Sequence, residues 1–413
     1  MDGMTRCPNV FRAAPLVAAI ACGGGTGTPS PPFDAGTSAS PGMGVAATPT
    51  DASSPAVAVM DAGPPTASPV LLASGQAYPS GIATNGTNVF WQNLGTPHGN
   101  AKAPADWTDG TIMECSTDGC GGAPTVLTAG RVESRDIGSP SAFAADKSAV
   151  YWGDMTEARE AGTLGDYVMR CSTDGCAGGP EVVGAPAVGP TWELAIDTTA
   201  VYFTNYAQVQ VAACSLPGCG STPAILWDGA AQTPSALTSG IAVDATDVYW
   251  TTENGEVMKC AKSGCGGTPT IVLSTAAGLI VTTQLALSDD DVYVVDSNPD
   301  GGGLIVRCPK TGCSGSPLPV ATGLNSVVAV AVDASGVYWT EQGVYQAGTI
   351  TPTNGVVRWC AVATDCGTTP ITLASGLSYP SGIALDDRNV YFVETNGGRV
   401  WATPKAIPKA IPK

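Results

Sequence analysis

From about residue 68 to residue 404 the chain is a succession of short apolar runs, each bounded by Gly, Pro, Asp or Asn. The best-kept stretch shows four in a row: "SGIAVDA" (239–245), "DVYWTT" (247–252), "GEVMKCA" (255–261) and "PTIVLST" (269–275). Runs of this length, rich in Val, Ile, Tyr, Trp and Thr, predict β-strands separated by tight turns. The first two are apolar on both faces, as expected of strands covered from both sides. The pattern predicts a unit of four strands, innermost first.

That unit repeats. A Val-aromatic core begins at Val89, Val150, Val201, Val248, Val292, Val337 and Val390, at intervals of 61, 51, 47, 44, 45 and 53 residues. A period of about 40–50 residues is that of a propeller blade. Where the first strand turns into the second, the seven copies place Asn85, Asp146, Asp197, Asp244, Ser288, Asp333 and Asp386. These side chains can fold back on the local backbone and fix a tight turn. Their recurrence in every unit favours that role over catalysis. The seventh copy stops one strand short, and "SPVLLASG" (68–75) matches "TPITLASG" (369–376), the last strand of the sixth. The expected fold is all-β, a seven-bladed β-propeller with four-stranded blades, closed by the N-terminal strand 68–75, which completes the last blade and leaves no unpaired seam.

The repeated unit "SGIAVDATDVYWTTENGEVMKC" resembles the YWTD repeat of LDL-receptor class B propellers and related bacterial secreted propeller repeats. All seven copies share the likeness. They depart from it at the YWTD aspartate, where Asn93, Asp154, Asn205, Thr252, Asp296, Glu341 and Glu394 stand, and in having seven units where that family usually has six. The resemblance implies a fold; propellers host many unrelated functions.

Composition narrows the setting. The net charge of −17 opposes attraction to phosphate backbones or anionic headgroups, so nucleic acid is not an expected partner. Arg6 and Arg12 precede a short apolar run at 13–21, too short to span a bilayer and similar to a signal peptide. Residues 1–21 are read as that signal. Cys22, directly after "AIA", resembles a bacterial lipoprotein cleavage site and is the expected lipidation site, although Ala19 stands where that pattern prefers Leu; plain secretion is the alternative. Residues 22–67, almost all Gly, Pro, Ala, Ser and Thr, cannot bury enough apolar surface to offset their ordering entropy, and are expected to form a disordered tether. The propeller is expected over 68–404 and a free tail over 405–413. The expected location is the bacterial cell envelope or the exterior, with membrane contact only through the lipid anchor, as a monomer.

Six of the seven units carry a cysteine pair at the end of the third strand: Cys115/Cys120, Cys171/Cys176, Cys214/Cys219, Cys260/Cys265, Cys308/Cys313 and Cys360/Cys366. Structural zinc would need four Cys or His ligands at one point. Each pair sits on its own blade, and His98 is the one histidine of the chain. In an exported protein each pair reads as a disulfide closing the hairpin between third and fourth strands.

If the strands run outward from a central axis, the connections between second and third strands share one face with the blade-to-blade connections. Long insertions fall there, at 92–110, 153–166 and 340–355, joined by the 129–140 connection. They belong to units one, two and six, which with unit seven form one sector of a closed ring. Loops on a rigid scaffold commonly carry binding. The candidate binding residues are His98, Trp107, Arg131, Arg135, Asp136, Asp154, Glu157, Arg159, Glu160 and Tyr345. Trp107 is the least ordinary of them, an indole in a loop of small residues. A weak calcium-loop likeness at Asp296, Asn298 and Asp300 lacks its closing glutamate, Arg307 standing there instead. No cofactor is expected, with calcium the sole candidate. No catalytic residue is assigned, since one histidine and no GxSxG give no hydrolase signature. The expected function is a binding or scaffold module for a protein or glycan; the alternative is a metal-dependent propeller hydrolase, lactonase or lyase.

Overall fold

Seven aromatic cores become seven second strands. The computed structural model describes residues 68–96, 109–129, 142–154, 167–184, 191–205, 208–230, 237–279, 282–297, 302–344, 353–362 and 366–405, all within a compact unit spanning 62–410. β1 (Val70–Ser74) precedes the first blade. Blade 1 is β2 (Pro79–Thr84), β3 (Asn88–Asn93), β4 (Thr111–Ser116) and β5 (Thr125–Ala129), and blade 2 is β6 (Phe143–Ala145), β7 (Ala149–Asp154), β8 (Tyr167–Ser172) and β9 (Glu181–Gly184). Blade 3 is β10 (Thr191–Ile196), β11 (Ala200–Asn205), β12 (Gln210–Ser215) and β13 (Ala224–Asp228). Blade 4 is β14 (Thr238–Val243), β15 (Asp247–Thr252), β16 (Val257–Ala261) and β17 (Thr270–Leu273). Blade 5 is β18 (Thr282–Leu287), β19 (Asp291–Asp296), β20 (Gly303–Pro309) and β21 (Leu318–Leu324). Blade 6 is β22 (Val327–Asp333), β23 (Gly336–Glu341), β24 (Gly355–Cys360) and β25 (Ile371–Leu377), and blade 7 is β26 (Pro380–Leu385), β27 (Asn389–Glu394) and β28 (Arg399–Pro404).

Each blade is an antiparallel sheet in chain order, and the last has the order β1-β28-β27-β26. The N-terminal strand therefore completes blade 7, pairing Val70 with Ala402 and Ser74 with Arg399. The molecule is the seven-bladed β-propeller that the repeat implied. Its core lies between blades: Trp91, Trp152, Trp250 and Trp339 are fully buried, as are Tyr151, Tyr249, Tyr293, Tyr338 and Tyr391. Opposite the first aromatic of each second strand the inner strand carries alanine, as in Ala83–Phe90, Ala195–Tyr202, Ala242–Tyr249 and Ala384–Tyr391. Inner strands converge on the axis, so little beyond a methyl fits there.

Hydroxyls join one blade to the next. Thr204 Oγ1 donates to the Ser239 carbonyl (2.8 Å), Ser239 Oγ to Thr282 (2.7 Å), Thr340 Oγ1 to Ser381 (3.0 Å) and Ser381 Oγ to Ser80 (3.3 Å), the last bond closing the ring from blade 7 to blade 1. Antiparallel order puts the turns between first and second strands on the same face as the cysteine hairpins. The turn residues act there as expected. Asp146 Oδ1 accepts the N–H groups of Ser148 (2.7 Å) and Ala149 (2.8 Å), while Oδ2 accepts the Tyr151 hydroxyl (3.1 Å). Asp197, Asp244 and Asp386 repeat this with Tyr202, Tyr249 and Tyr391.

The neighbouring blade adds a cation that the repeat pattern had not indicated. Lys262 reaches back to Asp197 (2.6 Å), Lys310 to Asp244 (3.0 Å), and Lys405 to Asp333. Each ammonium also lies over the adjacent tyrosine ring, Tyr202, Tyr249 and Tyr338 respectively. Lys405, expected to begin the free tail, is thus buried and ion-paired, so the folded region extends through it.

All six cysteine pairs are bonded as the spacing implied: Cys115–Cys120, Cys171–Cys176, Cys214–Cys219, Cys260–Cys265, Cys308–Cys313 and Cys360–Cys366, with Cα–Cα distances of 5.3 to 6.0 Å. Their placement at the end of the third strand needs one correction. Only the first cysteine of each pair stands in the strand, where it is buried. The second, Cys120, Cys176, Cys219, Cys265, Cys313 or Cys366, lies beyond the strand in the hairpin turn and is half-buried. The Gly-rich turn leaves the sheet, so only its inner side can meet the core. There Cys176 packs on the cluster around Phe90 and Trp152, and Cys265 on the one around Trp227 and Trp250.

These disulfides do more than close hairpins. The N–H of Cys219 donates to Val183 (2.9 Å), that of Cys313 to Val272 (3.1 Å) and that of Cys366 to Val320 (2.9 Å), each on the outer strand of the preceding blade. Cys120 Sγ lies 3.7 Å from the carbonyl of Leu72 on β1, and Cys265 Sγ 3.7 Å from that of Leu226 on β13. Six disulfides suit an oxidising environment.

Candidate functional site

The inner strands define the channel. At one inner-strand position the blades carry Gly81, Ala142, Gly240, Ala329 and Gly382, and neighbouring backbones approach closely there. A Cβ on Gly240 would stand 3.0 Å from Gln284 Cα, and one on Gly382 would stand 2.6 Å from the Ser80 carbonyl oxygen. Blades 3 and 5 break the pattern with Glu193 and Gln284, whose side chains meet: Gln284 Nε2 donates to Glu193 Oε1 at 2.7 Å. Burial pushes the Glu193 carboxyl up to about 8, against the Gln284 and Leu194 hydrogen bonds that pull it down. A neutral carboxylic acid thus bridges to an amide across blade 4. Reasoning from the repeats had missed this pair; the visible signal was two long polar residues at a position otherwise held by Gly or Ala.

The face that bears the blade-to-blade connections carries a second construction. Before the inner strands of blades 1, 6 and 7 the chain makes the same bend twice over, left-handed at Gly75, Gly323 and Gly376 (φ 67°, 68° and 71°) and again at Tyr78, Ser326 and Tyr379 (φ 54°, 53° and 60°). A tyrosine in this region is unusual and persists only where its surroundings impose it. Several bonds do so here. The Tyr78 and Tyr379 carbonyls accept the N–H groups of Leu94 (3.2 Å) and Thr395 (3.1 Å).

The residues at the YWTD aspartate position complete the clamp. Glu341 accepts the Asn325 N–H (2.9 Å) and the Trp339 indole (2.9 Å). Glu394 likewise accepts Ser378 N–H (2.8 Å) and the Trp401 indole (3.0 Å). In blade 1 the roles exchange, Gln76 accepting from the Trp91 indole (3.0 Å) and Asn93 (2.9 Å). These buried polar groups hold the connections rigid. Tyr78 and Tyr379 are half-buried and lie two residues upstream of the Ser381–Ser80 contact, on neighbouring blades.

Of the residues singled out by sequence, Asp154 ends β7 and is fully buried, with Trp152 Nε1 3.4 Å from its carboxylate; it belongs to the blade interior and offers no surface. Gln92, Gly153, Thr340 and Gly355, counted among the insertions, are likewise strand residues. Asp296 ends β19 and is buried. His98, Trp107, Arg131, Arg135, Asp136, Glu157, Arg159, Glu160 and Tyr345 lie outside the described residues, as do Cys22, Asn298 and Asp300. What the topology does place is the ends of the long connections: Asn93 and Thr111, Asp154 and Tyr167, Glu341 and Gly355 all flank one face, in blades 1, 2 and 6. Among the described residues no three His, Cys, Asp or Glu side chains gather to hold a metal, and no helix is long and apolar enough to cross a membrane.

The fold and the channel define a seven-bladed β-propeller. No protein-family model matches the chain, and no curated protein matches it. Solved propellers do. A streptogramin B lyase covers 81% of this chain and 96% of its own at 13% identity and a TM-score of 0.53. Virginiamycin B lyase from Staphylococcus aureus covers 82% and 98% at 12% identity and 0.51. The Cps50 (Swd1) β-propeller domain of Myceliophteria thermophila covers 82% and 99% at 10% identity and 0.53. At these identities the likeness is one of fold.

Proposed function

We propose that this protein is an exported, lipid-anchored binding propeller with YWTD-like repeats, which engages a protein or glycan partner through the connection face of blades 6, 7, 1 and 2. The observation that carries the reading is the coincidence of two features in one sector. The long connections of blades 1, 2 and 6 open on the same face as the strained, clamped bends at Tyr78, Ser326 and Tyr379. Strain held by a dedicated set of buried hydrogen bonds is a feature of sites that must be pre-shaped. Two aromatic side chains on adjacent blades suit an anchor for an apolar protein surface or the face of a sugar ring. The disulfides and lysine stitches brace the opposite face and support export.

The test compares the full chain with two variants. In one, Tyr78→Asn is combined with Tyr379→Asn, since asparagine tolerates the left-handed backbone. In the other, residues 97–108 are replaced by a short Gly-Ser linker, which spares β3 and β4. Both should keep the thermal midpoint and lose about tenfold or more in affinity for the partner recovered from fractionated envelope proteins or glycans, the effect expected of removing an anchor worth ~1.4 kcal/mol or more. Unchanged affinity in both variants would overturn the reading.

A further inference from the structure

The inner strands bulge at one level of the channel. The pairing of β10 with β11 slips between Thr191 and Glu193, that of β14 with β15 between Thr238 and Ile241, and that of β18 with β19 between Thr282 and Gln284. β2, β22 and β26 slip at the corresponding place. A bulge re-aims the side chains it carries, which makes it a common neighbour of binding sites. In blades 1, 4 and 7 it holds Ser80–Gly81, Ser239–Gly240 and Ser381–Gly382, and the three serines are buried. Blades 3 and 5 depart from that pattern with Trp192–Glu193 and Thr283–Gln284, and all four of these residues keep part of their surface open. The channel is therefore one-sided at this level. Blades 7, 1 and 2 bring Gly382, Gly81 and Ala142 to it, and the wall across from them presents an indole, an acid and an amide.

That wall suits one kind of guest. The bond from Gln284 Nε2 to Glu193 Oε1 (2.7 Å) fixes both polar heads beside the Gly240 edge. Beyond it the pair still holds an acid hydroxyl, an amide carbonyl and a second amide N–H, which are the groups a hydroxyl-bearing molecule exchanges bonds with. The wall also carries no fixed charge at neutral pH. Burial keeps the Glu193 carboxyl protonated up to about 8, and the groups that bond to it, Gln284 and the Leu194 N–H, do not ionise. Trp192, beside Glu193 in the same bulge, adds a flat apolar surface that suits the C–H face of a sugar ring. A concave site with an aromatic plate and a few convergent polar groups is the usual form of a small-molecule site.

We propose that the channel binds a neutral monosaccharide at the level of this bulge, its hydroxyls bonded to Glu193 and Gln284 and its ring lying against Trp192. The site is separate from the connection face and does not rest on the reading given for that face. Its test uses the full chain labelled with fluorotryptophan and titrated with the methyl glycosides of glucose, galactose, mannose and N-acetylglucosamine. The Trp192 fluorine signal, assigned by its loss in Trp192→Phe, should move saturably with at least one probe. Affinity for that probe should fall about tenfold between pH 7 and pH 9, since a group titrating near 8 is only about one-tenth protonated at the higher pH. Glu193→Gln keeps a neutral head of the same shape, so its affinity at pH 7 should stay within about threefold of native and no longer depend on pH. Gln284→Ala should weaken binding about tenfold. Tyr78→Asn combined with Tyr379→Asn should leave the shift in place. The proposal is overturned if no probe moves the Trp192 signal saturably, if the pH dependence survives in Glu193→Gln, or if the shift disappears in the tyrosine double variant. Should Gln284→Ala fail to fold, the isosteric Glu193→Gln decides by itself.

Discussion

Glu193 and the turn aspartates give the ring opposite responses to pH. Burial raises the Glu193 carboxyl to about 8 from an ordinary value near 4.5, so the folded state holds a proton that the unfolded chain has released. Stability from this group is complete below about 4.5 and is lost as pH rises through 8, at ~1.4 kcal/mol per pH unit and so up to about 5 kcal/mol in all. Asp197 and Asp244 act in the other sense. Burial opposes their ionisation, yet hydrogen bonds from Lys262, Lys310 and the turn N–H groups overcome it and hold both carboxyls well below the usual range. Their contribution is present above the unfolded value near 3.8 and is lost as pH falls through the folded one. The two effects together place maximum stability near pH 4–5. Urea unfolding at pH 5 and pH 8.5 should show the native chain losing stability between them and Glu193→Gln losing much less. An equal loss in both would mean that Glu193 is ionised in the folded ring.

At the scale of strands and hairpins, the cysteine pairs join two jobs. A six-residue loop contributes about 2 kcal/mol on the chain-entropy estimate, and docking of the hairpin N–H on the preceding outer strand adds a bond between blades. Cys308→Ser with Cys313→Ser should therefore cost ~2–3 kcal/mol in denaturant unfolding, more than the loop alone; a cost under about 1 kcal/mol would deny the hairpin any part in joining blades. The hairpins themselves were legible, because Cys-x4-Cys recurs at one place in the unit. Their contact with the preceding blade was not, since Val183, Val272 and Val320 read as ordinary outer-strand residues. The same holds for the lysines. Lys262, Lys310 and Lys405 look like solvated turn residues until the neighbouring blade supplies an aspartate and a tyrosine ring. The YWTD aspartate position read as a weakened motif; in the fold Glu341 and Glu394 keep a carboxylate there to receive the backbone N–H of the connection entering their own blade.

For the whole ring, closure rests on β1, whose Leu72 and Ala73 are buried against blade 7 and whose Leu72 carbonyl faces the blade 1 disulfide. A chain starting at residue 68 should keep the thermal midpoint of the full chain, whereas one starting at residue 76 should melt lower by about 10 °C or more, since β28 is left with an open edge and the 7/1 junction loses its core. Equal midpoints would show that closure does not depend on β1. The repeat by itself determined the blade number, the four-strand unit, the turn residues and the cysteine pairing, because these depend on contacts within about 50 residues of sequence and recur from unit to unit; the closing strand was legible because 68–75 matches the last strand of the sixth unit. Tertiary structure decided what happens between blades, the Glu193–Gln284 bridge and the lysine stitches, because each needs side chains from separate repeats that meet only where blades pack together. It also decided the clamped bends at Tyr78 and Tyr379, whose left-handed backbone is held by partners within one blade that the strand pattern does not pair.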